Sequence, residues 1–210
     1  MQNLNNDFKK EHKFFERYLD NDLDDLSKFL QFQYKRIENG ELIKGELNKN
    51  GAFSESGSIT TSNWYQYNAF QFYHPSINKL FKSIVSMAKE ACEYYEVDFE
   101  AQNYYTQAWF NINYAKTGKL DWHNHGSGTG APFFHGYYCV NAEPSVTHYK
   151  ILGEEIDNIN KNNRAVLAEM SHPHAMGDWD WDGPRITIAY DVVPFNNITH
   201  HWEQHWIPIS

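Results

Sequence analysis

Hydrophobic spacing divides the chain into a helical half and a strand-rich half. Over residues 8–38 apolar positions recur at helical steps. Phe14, Phe15, Tyr18 and Leu19 start a stripe that Leu23, Leu26, Phe29 and Leu30 continue. The spacing predicts a helix there, with residues 20–22 as a point of interruption and Asn21 or Asp22 as its cap. Residues 39–63 are dense in Gly, Asn, Ser and Thr and read as loop, with room for one hairpin. Pro75 and Ser76 then open the clearest helix. Ile77, Leu80, Phe81, Ile84, Met87, Ala88, Ala91 and Tyr95 follow at steps of three and four. Such a stripe is the face a helix lays on a sheet.

After Asp98 the period changes from 3.6 to 2. Residues 104–114 put Ala108, Phe110, Ile112 and Tyr114 on one face, and Tyr105, Gln107, Trp109, Asn111 and Asn113 on the other. Strand-like runs follow at 136–140, 146–152, 164–170 and 185–193. The expected fold is α+β but mainly β, a barrel or sandwich of short strands with N-terminal helices packed outside. A single domain spans 1–210, with a helical part over 1–98 and a β core with a C-terminal tail over 99–210. The polar face of the 104–114 strand is what a ligand site inside a small barrel needs.

Composition narrows the function classes. A chain of 210 residues buries roughly 70% of its unfolded surface without disulfides. Lys and Arg number 18 against 27 Asp and Glu, a net charge of −9, which disfavours long nucleic acid as a partner. No apolar run reaches the length of a membrane span, and residues 1–10 lack the apolar stretch of a secretory signal. The two cysteines, Cys92 and Cys139, form no CxxC and read as reduced, packed thiols of a cytosolic protein.

The 11 histidines change the picture most. Six fall between positions 123 and 174: His123, His125, His135, His148, His172 and His174. On an extended strand His123 and His125 project side by side, with Asp121 on the same side. A buried neutral imidazole needs both a donor and an acceptor partner, and a divalent cation meets one need of both rings at once. The plainer alternative is two exposed histidines beside a Gly-Ser loop. His174 follows the apolar run 165–168 and Pro173, so it would sit just past a strand end and over the barrel mouth. His172 is its rival. Two neighbouring ligands joined by one distant histidine follow the facial-triad logic of non-haem iron sites, which leaves coordination positions open on one side.

Arg185 comes 11 residues after His174 and begins a strand on which Thr187 and Ala189 share its face. A guanidinium there can clamp a carboxylate bidentately, with Thr187 adding a hydroxyl. The alternative is a surface arginine paired with Asp180 or Asp182.

The order of these features resembles the iron(II)- and 2-oxoglutarate-dependent oxygenases, and within them a group found in bacteria and their phages. The residues that carry the resemblance are Trp109-Phe110-Asn111, His123-Asn124-His125, His135-Gly136-Tyr137-Tyr138, and His174 followed by Arg185-Ile186. They cover about residues 100–193. The resemblance implies a double-stranded β-helix, a jelly-roll or cupin-like barrel. It also implies iron(II) held by His123 and His174, 2-oxoglutarate as cosubstrate with Arg185 on its distal carboxylate, O2, and ascorbate as a support of activity. The middle ligand of that superfamily is usually an acid two residues after the first histidine. Here that position is His125, which leaves three histidines, a swung-in Asp121 or a water as the choices. Asn111, Asn113 or Tyr105 would hold the other carboxylate of the cosubstrate. His135, Tyr137, Trp109 and Trp179 would meet a small-molecule or side-chain substrate. The implied reaction is hydroxylation coupled to decarboxylation of 2-oxoglutarate to succinate, in the cytoplasm of a bacterium or a phage-infected bacterium.

Other signals carry less. Gly126-Ser127-Gly128-Thr129-Gly130 lacks the Lys-Ser/Thr ending of a phosphate loop and reads as a loop beside the metal. Asp178-Trp179-Asp180-Trp181-Asp182 reads equally as a solvated turn or as a substrate rim. His201 and His205, four apart and interleaved with Trp202 and Trp206, read as a tail docked on the barrel. Two competing functions stay open. A three-histidine thiol dioxygenase of the cupin type explains the histidines but leaves Arg185 without a cosubstrate. A non-catalytic, aromatic-rich β-sandwich that binds a ligand would make the histidines incidental.

Overall fold

A computed structural model describes residues 12–39, 58–60, 68–113, 122–125, 133–169, 171–198 and 206–210. In chain order the elements are β1 (Phe15–Tyr18), α1 (Leu23–Glu38), β2 (Ser58–Thr60), a 3-10 turn at Ala69–Gln71, and α2 (Pro75–Tyr94). Then come β3 (Tyr104–Asn113), β4 (Phe134–Asn141), β5 (Val146–Ile151), β6 (Glu154–Ile159), β7 (Arg164–Glu169), β8 (His174–Met176) and β9 (Arg185–Pro194). A second 3-10 turn, Phe195–Asn197, and β10 (Ile207–Pro208) close the described chain. The larger sheet runs β1-β7-β4-β9-β3-β10, with β2 also on β3, and the smaller runs β6-β5-β8. Strand pairing is antiparallel throughout. This is the mainly-β, jelly-roll-like architecture expected, with the helices outside.

The larger sheet is covered on both faces. Ile186, Ile188, Tyr190 and Val192 of β9 pack with Leu80, Ile84 and Met87 of α2 and with Leu26 and Leu30 of α1. The opposite parity of β4 and β7, Tyr137, Cys139, Val166 and Ala168, meets Tyr149 and Ile151 of β5 in a second core between the sheets. By strand alternation Arg185, Thr187, Ala189 and Asp191 of β9 belong to that inner face. The helix ends are held locally. Asp22 Oδ1 accepts the N–H of Asp25 at 3.0 Å, and His74 Nδ1 accepts that of Ser76 at 3.2 Å with Pro75 in the first turn.

The structure corrects the N-terminal reading. Residues 15–18 form an edge strand on β7, not the first turns of a helix, which starts only at Leu23. The reason is visible in two adjacent aromatics. Phe15 packs in the helix-side core and Phe14 in the inner one, which only an extended chain allows. Asp22 does serve as the cap. β6 and β8 lie outside the expected runs, and the tail docks through β10 on β3. Tyr114, Asp121, the 126–130 loop, Met170, His201 and His205, and most of 39–63 fall outside the described residues. No helix among the described residues is long and apolar enough to cross a membrane.

Gly136 sits where the two cores meet. The Tyr190 ring crosses over it, and the Tyr190 hydroxyl donates to Val166 O at 2.7 Å. A Cβ at Gly136 would collide with the Val166 carbonyl and the Tyr190 ring. Gly136→Ala should therefore lose about 1–3 kcal/mol or more in urea denaturation; unchanged stability would refute this packing. Cys92 and Cys139 are free and buried, and burial pushes both thiols up to about 11. Only the thiolate attacks, so at pH 8 roughly 0.1% of either is reactive even before access is counted. Both should resist a disulfide reagent in the folded protein and react promptly in urea.

Candidate metal centre

Backbone pairing assembles the site. The His123 N–H donates to His174 O at 3.1 Å, and the His174 N–H returns to His123 O at 2.8 Å. On its other side His174, first in β8, is paired with Tyr149 of β5. One bridge thus lays His123 beside a strand end 51 residues away. His125 follows two residues on, and Trp109 of β3 stacks on its ring at 5.4 Å and 19°. Ring centroids are 4.4 Å apart for His123–His174, 5.1 Å for His125–His174 and 5.4 Å for His123–His125. One potential ligand atom from each of the three lies within 4.8 Å of the others.

The electrostatics keep these rings available. Burial, then the neighbouring His135, His123 and His125, holds His174 far below the ordinary imidazole range, so it is neutral. Its Nδ1 lies 3.3 Å from His172 O. A carbonyl only accepts, so the proton is on Nδ1 and the lone pair on Nε2. Three clustered imidazoles, one of them locked neutral, suit a divalent cation of the iron or zinc type.

A second group overlaps the first. His125, His135 and Asp191 also place one potential ligand atom each within 4.8 Å of one another. Asp191 Oδ2 is 3.0 Å from His125 Nδ1 and Asp191 Oδ1 is 2.9 Å from His135 Nδ1. Burial alone would raise Asp191, but His125 and His135 outweigh it and hold the carboxyl well below its usual range. Burial lowers His125 in turn, and Asp191 overrides that and raises it. His135 is pushed down to about 4, by burial first and the charge of His125 second. The sequence reading missed Asp191. The signal was present, because it continues the face of Arg185, Thr187 and Ala189 by one more step of two.

The other expected residues are placed unevenly. Arg185 is buried, donates from Nε to Ser145 Oγ at 2.9 Å, and pairs with no carboxylate among the described residues. Asn113 stands opposite Arg185 and Asn111 opposite Thr187 in the β3–β9 register. Tyr105 does not join them. It pairs with Val193 and packs on Phe195, eight residues along β9 from Arg185, or ~27 Å. His172 is turned toward Glu169, 3.5 Å away, and toward His12, not into the cluster. Tyr137 is buried on the inner face. The indole N–H of Trp179 is spent on Gly183 O at 3.0 Å within its own loop, with Trp181 beside it. His148 pairs with Asp157 at 2.6 Å, outside the cluster.

No family model matches the chain, and no curated protein matches it in sequence. Its fold does match solved structures. A prolyl-4-hydroxylase from Pseudomonas putida aligns with 88% of this chain and 94% of its own, at a TM-score of 0.58 and 11% identity. AviO1 from Streptomyces viridochromogenes Tue57 aligns with 90% of this chain and 92% of its own, at 0.60 and 12%. The epimerase SnoN, solved with Fe3+, alpha-ketoglutarate and nogalamycin RO, aligns with 87% of this chain and 79% of its own, at 0.56 and 10%. The chain thus has the jelly-roll-like fold of the iron- and 2-oxoglutarate-dependent oxygenases. At these identities the likeness is one of fold, and the site must be argued from its own residues.

Removing a metal ligand should cost more than the ~10- to 100-fold typical of losing an outer partner. His174→Ala is expected to weaken Co(II) binding at least ~100-fold in calorimetry, with His172→Ala close to the parent chain. Full occupancy in the His174 variant would sink the ligand assignment.

Proposed function

We propose that this chain is an iron(II)- and 2-oxoglutarate-dependent dioxygenase that hydroxylates a small molecule or a side chain. The observation that carries the reading is a buried cation without a buried anion. Arg185 lies on the inner face of the larger sheet, on β9, the strand that also sets Asp191 beside His125 and His135, and no described carboxylate neutralises it. Burial works against its charged form, so an anion placed beside it would be strongly favoured. Buried guanidinium groups favour bidentate carboxylate partners.

The register sets the scale. Trp109, stacked on His125, stands opposite Ala189, and Arg185 lies four residues further along β9, or ~13 Å between Cα atoms. An arginine side chain and a five-carbon dicarboxylate laid end to end span that length. His123, His125 and His174 would hold the iron. With 2-oxoglutarate and O2, bound iron supplies oxidative decarboxylation to succinate and CO2, one oxygen atom entering succinate and the other the substrate as a hydroxyl. Arg185 would take the distal carboxylate, with the Thr187 and Ser145 hydroxyls beside it. Asn111 and Asn113 stand opposite on β3, within the same stretch of register. Trp109 covers one face of His125, and Tyr149, buried beside His174, excludes water from that side.

The test is direct. With iron(II), 2-oxoglutarate and ascorbate the chain should form succinate, and 2-oxoglutarate should raise the melting temperature of the manganese-loaded protein. Arg185→Gln should weaken 2-oxoglutarate at least ~10-fold, the scale of a charge-assisted hydrogen bond, while leaving metal affinity unchanged. If 2-oxoglutarate neither stabilises the metal-loaded chain nor yields succinate, the reading fails.

A further inference from the structure

Asp191 faces two imidazoles: its Oδ1 lies 2.9 Å from Nδ1 of both His125 and His135, and its Oδ2 lies 3.0 Å from Nδ1 of His125. We propose that Asp191 is a positioning residue of the metal centre, fixing the tautomers of His125 and His135 together so that both rings offer Nε2 as a lone pair. The proposal rests on the metal reading above and names the group that prepares one of its ligands.

The chemistry is a count of protons. An ionised carboxylate only accepts hydrogen bonds. Both nitrogens facing it must therefore carry hydrogen. A neutral imidazole has one N–H, so the other nitrogen, Nε2, is bare in each ring. For His125 that is the nitrogen left for a cation shared with His123 and His174. Ligating histidines are commonly oriented by an acceptor on their other nitrogen, and His174 shows the same device with His172 O. What is particular here is one acceptor serving two rings.

Packing makes the choice rigid. Trp109 stacks on His125 at 5.4 Å and on His135 at 6.2 Å, and the two imidazoles lie 3.9 Å apart. Each imidazole packs against both the indole and the other imidazole, which resists a ring flip that would exchange its nitrogens. Asp191 is fixed in the same way, by backbone pairing to Gln107 of β3 and His135 of β4. It acts through His125, and His135 is the second tether that keeps it there. The arrangement also answers a charge problem. Three neutral imidazoles bring no charge to a divalent cation, and Asp191 places one negative charge a single hydrogen bond away.

Asp191→Asn separates this from simple packing. The amide has no charge and only one acceptor oxygen, and its N–H group favours a lone pair at Nδ1 of the ring it faces, so the two tautomers are no longer fixed together. Long-range proton–nitrogen correlation on the zinc-loaded, nitrogen-15-labelled parent chain should show Nδ1–H on both His125 and His135. In Asp191→Asn one of the two should lose it, and Co(II) affinity should fall ~10- to 100-fold with a changed visible spectrum. Asp191→Glu should recover part of that affinity. An Nε2–H tautomer on either ring of the parent chain overturns the proposal without any variant. Parent-like Co(II) affinity in Asp191→Asn overturns it as well, and leaves the three-histidine reading standing. If the parent chain binds neither Co(II) nor Zn(II), both fall together.

Discussion

A sheet with no solvent face is the constraint on which this structure depends. The central strands of the larger sheet serve two interiors, one under the helices and one between the sheets. Ile186, Ile188 and Tyr190 answer the first, and Arg185, Thr187 and Asp191 the second. Polar residues in the second interior cannot turn to water, so each must find a partner within the protein or in a ligand. That is why so many charged and aromatic groups converge there, and why Arg185, which meets no carboxylate among the described residues, is informative.

The sequence pattern carries some of this and hides the rest. α2 and strands β3, β4, β5, β7 and β9 are legible because their periods differ and their faces contrast. β1 is hidden because Phe14, Phe15 and Tyr18 fit helical spacing as well as extended spacing. β6 is hidden for another reason. Glu154, Glu155 and Asp157 are exposed and its apolar content is sparse, so the turn at Leu152 and Gly153, both with positive φ, is what folds it back on β5. Within the candidate site, spacing points to His123, His125 and His174, which the fold brings together, and to Arg185, which it buries. It cannot tell how far along a strand a residue sits from its functional partner, so it groups Tyr105 with Asn111 and Asn113. Asp191 escapes because it has no motif, only a parity and a register.

The centre is defined as much by what restrains its rings as by the rings themselves. His174 owes its tautomer to a carbonyl two residues before it and its place to a backbone pair with His123. His125 owes its environment to β3 and β9, which belong to the other sheet. The two sheets thus meet at the histidine cluster, and any cation bound there would be held by both.

Phe14 gives the N-terminal segment a role that its distance in sequence conceals. It stands edge-on to Tyr149 at 5.0 Å, and Tyr149 in turn lies 5.6 Å from His174, while His12 reaches the His172 ring at 4.3 Å. Residues 12–18 are therefore part of the wall around the histidine cluster. Water around His174, and with it the strength of charges there, is thus limited partly by Phe14, a residue before the first helix and outside the histidine cluster.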